Sequence, residues 1–306
     1  MPRAFVDPPR WSSQQLETAR QDATAAFIKD RLAEGASQYK PVFEESLVEV
    51  KELFAATDNL RSLAKGQAFG NSPRLVTPAR YLGGPPISAD DLDIIADGRV
   101  ANRRHLEARL AAAAASVIEA ALDRRRFPWL FAAPPRKPSA AELKIALEWT
   151  AGLWAAQRVA TKRRGESSAR QEAAVSAVLK GCNFDVVRTG AIDVTAESLD
   201  KGQYCRETNV IGTKCDVPVK LRDGRLLLIE CKVSNSSLNS VKRLIREIGG
   251  KARIWRSGFG DRAITAAVLS GVFKLRHLEE AQNQHGVVIF WESDLKPLRG
   301  FLLKAA

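Results

Sequence analysis

The chain has 306 residues, 45% of them hydrophobic and 27% charged, with 47 Lys+Arg against 35 Asp+Glu and a formal net charge of +12. Those proportions exclude wholesale disorder, and the length predicts two domains, or one large elaborated domain, with a core that needs no disulfide or structural metal. The most apolar stretch, 110–122, is too short and too interrupted (Ser116, Glu119) for a membrane span, and MPRAFVDPPRW lacks a signal peptide's apolar segment, so a cytoplasmic protein is expected.

Ser12 and Gln15 form an S-x-x-Q capping box, which predicts a helix running to about Glu34. A second helix is predicted from Val42 to Leu63, with Phe43, Leu47, Val50, Leu53 and Phe54 on one face. Residues 65–89 hold four Gly and four Pro and read as a long loop, a candidate functional arm carrying Arg74, Arg80 and Tyr81. Further helices are predicted near 89–97, 100–123 and 139–162, and Lys162-Arg163-Arg164-Gly165 reads as a junction. Residues 1–165 are therefore expected to form a helical N-terminal region.

The grammar then changes. An amphipathic helix is predicted over 168–180 with Gly181 as its cap, then a strand over 184–188 and an irregular stretch over 190–212. Cys215–Leu221 and Arg225–Val233 read as a hairpin joined by Asp223-Gly224, and Leu226, Leu227, Leu228 and Ile229 suggest burial on both faces. A helix over 238–255, a strand over 264–269, a helix over 273–284 and a strand over 286–291 follow. The expected fold is α/β, with a mixed β-sheet flanked by helices over 166–306.

Charge is concentrated in the second half: residues 1–150 hold 21 Lys+Arg and 19 Asp+Glu, residues 151–306 hold 26 and 16. Such a bias suits a polyanion, most commonly nucleic acid. Cys182, Cys205, Cys215 and Cys231 are spaced too irregularly for zinc or redox motifs and are expected to be reduced core residues. No G-x-x-x-x-G-K-[ST] phosphate loop occurs.

On the hairpin sit Asp216, Glu230 and Lys232. Glu230 and Lys232 are two residues apart and leave the same face of their strand. A two-residue turn at 223/224 would set Asp216 level with Cys231 and on the opposite face from Glu230. A one-residue offset, which a bulge at Pro218 could supply, would bring the acids together. Paired carboxylates suit Mg²⁺, which binds through one or two carboxylates plus phosphate and water oxygens, and a nearby lysine can position water or stabilise phosphate charge.

Asp216 followed by Glu230-Cys231-Lys232 across a hairpin resembles the PD-(D/E)XK nuclease motif, with Cys215 where many members have Pro. The stretch GTKCDVPVKLRDGRLLLIECKVSNSSLNSVKRL is similar to XamI-like type II restriction endonucleases. That resemblance implies a restriction-endonuclease-like core and Mg²⁺-dependent hydrolysis of double-stranded DNA at a short palindrome, with a GTCGAC-type site suggested by the family. It also implies a homodimer and a cognate DNA methyltransferase. Asp216 and Glu230 would ligate the metal with the carbonyl of Cys231, Lys232 would assist the attacking water, and Glu172 would support the site.

Ser234, Asn235, Ser236, Asn239, Lys242, Arg243 and Arg246 adjoin the proposed scissile phosphate and are candidate DNA-binding residues, although Ser and Asn here also suit helix capping. Lys251, Arg253 and Arg256 continue the basic stripe towards phosphate or solvent, and Arg124-Arg125-Arg126 are weaker DNA candidates. The alternatives are a structure-directed repair or recombination nuclease, and a DNA-binding protein of this fold without catalysis.

Overall fold

The computed structural model describes residues 5–194 and 199–305; residues 1–4, residue 306 and part of the stretch predicted irregular, 195–198, lie outside it. Two compact units emerge, one of residues 33–163 and one combining residues 1–32 with 164–306.

Helix α1 (Ser13–Glu34) opens on the predicted capping box: the Ser12 amide donates to Gln15 Oε1 (2.9 Å) and the Gln15 amide to Ser12 Oγ (3.3 Å). The sequence groups it with the helical region, yet Leu16 and Ala23 pack against Leu269, Ile289 and Trp291 of the sheet-containing unit. In the helical unit, α2 (Lys40–Ala56) buries Val42, Val50, Leu53 and Phe54. It stops seven residues before the predicted end because Asp58, Asn59 and Leu60 turn the chain at positive φ.

The expected arm over 65–89 is instead a series of short turns, including α3 (Gln67–Asn71) and α4 (Val76–Ala79). Its Phe69, Leu75, Val76, Ala79, Tyr81 and Leu82 belong to the core, Arg74 pairs with Glu52 (2.6 Å), and Arg80 Nε donates to the Ile87 carbonyl (2.8 Å). Its prolines start or interrupt turns, and the apolar residues between them are what fasten the segment down. α5 (Ala89–Ile95) and α6 (Ala108–Ala120) complete this layer. Arg126 is only 3% exposed and its guanidinium donates to the carbonyls of Tyr81, Leu82 and Gly83 and to Thr150 Oγ1. It is a buried cross-brace rather than a DNA contact.

α7 (Ala140–Gly181) runs through the expected junction, so the predicted helices 139–162 and 168–180 are one. Gly165 weakens a helix interior by about 1 kcal/mol but does not stop it. The left-handed residue that ends the helix is Asn183 (φ 59°), not Gly181.

The sheet is mixed: β1 (Asp185–Val187), β2 (Gln203–Cys205), β5 (Val217–Lys220), β6 (Leu226–Ser234), β7 (Ala263–Gly271) and β8 (Val288–Trp291) lie in that spatial order. β1–β2, β6–β7 and β7–β8 pair in parallel, while β5 is antiparallel to both neighbours. A separate hairpin joins β3 (Thr208–Val210) and β4 (Thr213–Cys215), so the predicted strand 215–221 is split at Asp216 between two sheets. Odd residues of β6 (Leu227, Ile229, Cys231) pack with Val175 and Leu179 of α7 and with Leu298 and Leu302 of α10 (Lys296–Lys304), a helix the sequence reading missed. Leu226 and Leu228 face Trp255 of α8 (Gly249–Phe259), and the same side of β7 faces α9 (Leu275–Asn283). The predicted helix 238–255 is wound in two ways, π-helical over Val241–Ile248 and then α-helical.

Gly271 ends β7 at φ +96°, where a Cβ would collide with the Ser234 carbonyl oxygen. Gly271→Ala is therefore expected to destabilise the protein by at least ~2 kcal/mol. Thermal unfolding measures this, and an unchanged midpoint would contradict it.

Candidate active site

The β5–β6 turn decides which side chains meet. The Leu221 amide donates to the Arg225 carbonyl (2.9 Å) and the Gly224 amide to the Leu221 carbonyl (3.0 Å), enclosing a three-residue loop with Gly224 at φ +95°. Val217 then pairs with Ile229, and Pro218 with Leu228 in regular register. The needed one-residue offset comes from the turn and not from a bulge at Pro218. Extending that register one step sets Asp216 level with Glu230, so both acids fall on one side of the hairpin.

Past Ile229, β6 outruns β5 and one of its edges has no strand to pair with. Asp216 Oδ2 fills the gap, accepting from the Cys231 amide (2.7 Å) and from Lys232 Nζ (3.0 Å). Lys232 Nζ also lies 2.8 Å from Glu230 Oε2, so one ammonium bridges the two carboxylates. In a strand the N–H and C=O of one residue leave by the same edge, which turns the Cys231 carbonyl towards Asp216.

Glu230 is fully buried. Burial raises its pKa and Asp216 adds to the rise, against the pull of Lys232 and Lys251. For Lys232, burial disfavours the charge, but Glu230 and Asp216 outweigh it and the pKa rises. Burial pushes the Cys205 thiol up to about 11 and raises those of Cys215 and Cys231, so none of the three is a thiolate nucleophile at neutral pH.

A second cation completes the cluster. Lys251, in the first turn of α8, places Nζ 2.8 Å from both oxygens of Glu230 and also donates to the Lys214 carbonyl. The sequence reading put Lys251 on a solvent- or phosphate-facing stripe. The signal was present in Trp255, four residues on: a buried Trp turns that helical face towards the sheet, and Lys251 shares the face.

Glu172 lies on α7 and accepts from Ser168 Oγ (3.1 Å); among the described residues it bonds to neither acid, although its charge helps to raise the Cys231 thiol pKa. Its neighbour Gln171, fully buried, directs Nε2 at the carbonyls of Lys232 (3.5 Å) and Val268 (3.4 Å). The candidate DNA-binding residues divide. Ser234 is 1% exposed and its hydroxyl donates to the Ser236 carbonyl, while Ser236 Oγ caps the Asn239 amide. Asn235 Oδ1 accepts from Arg31 Nη2 (2.9 Å), and Arg243 pairs with Glu247 (3.1 Å). Asn239, Lys242 and Arg246 are exposed.

Among the described residues, no three His, Cys, Asp or Glu side chains converge on one point. The donors gathered here are two carboxylates and a backbone carbonyl. That all-oxygen set, completed by water or phosphate, suits a hard cation such as Mg²⁺.

The sequence profile described as XamI restriction endonuclease matches residues 58–291. The chain belongs to the XamI restriction endonuclease family. One member, the type II restriction enzyme XamI of Xanthomonas campestris pv. amaranthicola, is 36% identical over 267 residues, covering 84% of this chain and 94% of the relative. No solved structure matches the chain. The matched region of this XamI-family chain contains the whole Asp216/Glu230/Lys232 cluster and extends well into the helical unit. No helix among its described residues is long and apolar enough to cross a membrane.

Proposed function

We propose that this XamI-family chain hydrolyses phosphodiester bonds of double-stranded DNA at a short palindromic site, using Mg²⁺, as a PD-(D/E)XK nuclease. The observation that carries the reading is the convergence of Asp216 and Glu230 on the single ammonium of Lys232 at the open end of β6. Two acids held this close in a buried setting have use for a cation, and nothing in ordinary strand packing requires them there.

Asp216, Glu230 and the carbonyl of Cys231 would hold the metal. Bound there, Mg²⁺ supplies Lewis-acid polarisation of the phosphodiester and a more acidic water. Lys232 orients the attacking water and offsets charge growing on the phosphate. Glu172 supports the site electrostatically from α7. Asn239, Lys242 and Arg246 supply the exposed DNA-binding groups, while Ser234, Asn235, Ser236 and Arg243 shape the segment that presents them. A homodimer would match the two-fold symmetry of a palindrome, and a cognate methyltransferase would protect the host's own sites, both in the cytoplasm. A GTCGAC-type sequence is the first substrate to try.

The test is incubation of the purified protein with a long defined DNA in Mg²⁺ and in EDTA. Discrete bands in Mg²⁺ alone are expected. A smear would indicate a nonspecific or structure-directed nuclease, and binding without cutting would overturn the catalytic reading.

The pH profile follows from Glu230. Its pKa is raised on folding, so its contribution to stability is present below the ordinary glutamate pKa and is lost as pH rises through the folded value. Metal holding needs the carboxylate, so cutting fails in the other direction, as pH falls. With Mg²⁺ kept limiting, so that the metal-free carboxyl sets the profile, the acid limb of kcat/KM is expected above pH 4.5, the ordinary glutamate value. A profile flat down to that pH would contradict the assignment.

A further inference from the structure

The proposed metal site already holds two cations, and they are not equivalent. Lys232 is wedged between Asp216 and Glu230, and leaving would strip both acids of their bridge. Of the two acids Lys251 engages only Glu230, through both oxygens, from the first turn of α8, and its one other hydrogen bond among the described residues is to the carbonyl of the exposed Lys214. It also borders an open hollow lined by Arg246, Glu247, Gly250, Arg253, Ile254 and Ser257. A lysine stem is long and flexible, so its ammonium can move from the carboxylate into that hollow without moving the helix.

Charge counting then decides which cation leaves. Asp216 and Glu230 balance Lys232 and Lys251, which leaves the buried cluster neutral. A divalent ion added to all four would leave a charge of two in a poorly solvated place, which is costly. If Lys251 withdraws and one DNA phosphate enters, two carboxylates and a phosphate balance Lys232 and the metal. The withdrawn ammonium then lies beside Arg246 and Arg253; Glu247 on the same hollow is already paired with Arg243 (3.1 Å), so a phosphate backbone would be the new counter-ion.

Resting on the nuclease reading above, we propose that Lys251 is an internal counter-ion that occupies the metal's place on Glu230 and yields it only when DNA phosphate can receive the ammonium. Lys251 is thus a positioning residue that couples metal binding to DNA binding. The free protein binds metal weakly, and DNA and metal strengthen each other.

The test uses the full-length, EDTA-stripped protein without DNA, titrated with Mn²⁺ while the electron paramagnetic resonance of free Mn²⁺ is followed. Lys251→Met is expected to bind Mn²⁺ at least ~10-fold more tightly than the unaltered protein, because the ion meets one fewer positive charge. Lys251→Arg should keep the weak affinity. In Ca²⁺, Lys251→Met should also lower DNA affinity and reduce the slope of log K against log salt by about 1. Should Lys251→Met fail to fold, Lys251→Gln, which can still donate to Glu230, carries the same expectation. Equal Mn²⁺ affinities that both vanish in Asp216→Ala would overturn the role of Lys251 and leave the metal site standing. Absence of site-specific Mn²⁺ binding in every form, Asp216→Ala included, would overturn the metal site and the proposal together.

Discussion

Lys232→Ala is expected to lower DNA cutting by about 10²–10⁴-fold while leaving DNA affinity within a few-fold. The ammonium lies 3.0 Å from Asp216 and 2.8 Å from Glu230 and is mostly shielded from solvent, whereas Lys251 is bonded to Glu230 and the Lys214 carbonyl and does not bridge the two acids. It is also remote in kind from the exposed Lys242 and Arg246, whose charges would carry binding energy to the phosphate backbone. Asp216→Ala should give the same split. It also frees the Cys231 amide, so a stability loss of about 1–3 kcal/mol should accompany it. Cleavage rates under single-turnover conditions, paired with anisotropy measurements in Ca²⁺, separate the two effects. Retained cleavage in either variant would overturn the assigned site.

Arg126→Ala is expected to cost about 3–5 kcal/mol of stability. Three backbone carbonyls and the Thr150 hydroxyl lose their donor at once, in a place where water cannot easily follow. Burial lowers the Arg126 pKa, and the flanking Asp123, 3.5 Å away, resists the shift. Arg126→Lys should recover little, because a single ammonium cannot reproduce the fork that meets several carbonyls. Denaturant unfolding of the full chain measures the effect. A loss under ~1 kcal/mol for Arg126→Ala would show that the carbonyls find other partners.

The sheet unit was largely legible because its signals are local and strong. Leu226–Ile229 bounded by Asp223-Gly224 can hardly be anything but a buried strand, and Glu230 and Lys232 share a face by strand geometry alone. What sequence could not supply was information carried by long-range contact. Residues 65–89 read as a loop because Gly and Pro punctuate them; their Phe69, Leu75 and Leu82 fill a core whose other walls lie far away in sequence. Arg126 stood in a run of three arginines with nothing to mark it as the buried one. α1 joined the wrong half for the same reason, since the capping box fixes where a helix starts and says nothing of what it packs on. Lys251 was assigned by its charge, although its spacing from Trp255 pointed inward.

The three-residue loop between β5 and β6 has a consequence for how this chain can vary. Surface loops usually accept insertions and deletions at small cost. Here the turn acts as a ruler: closing the same sequence as a two-residue turn at Asp223-Gly224 would set Asp216 level with Cys231 instead of Glu230 and turn the acid to the far side of the hairpin. A substitution six residues away that favoured the shorter turn, with every active-site residue still present, would separate the acids as surely as removing one.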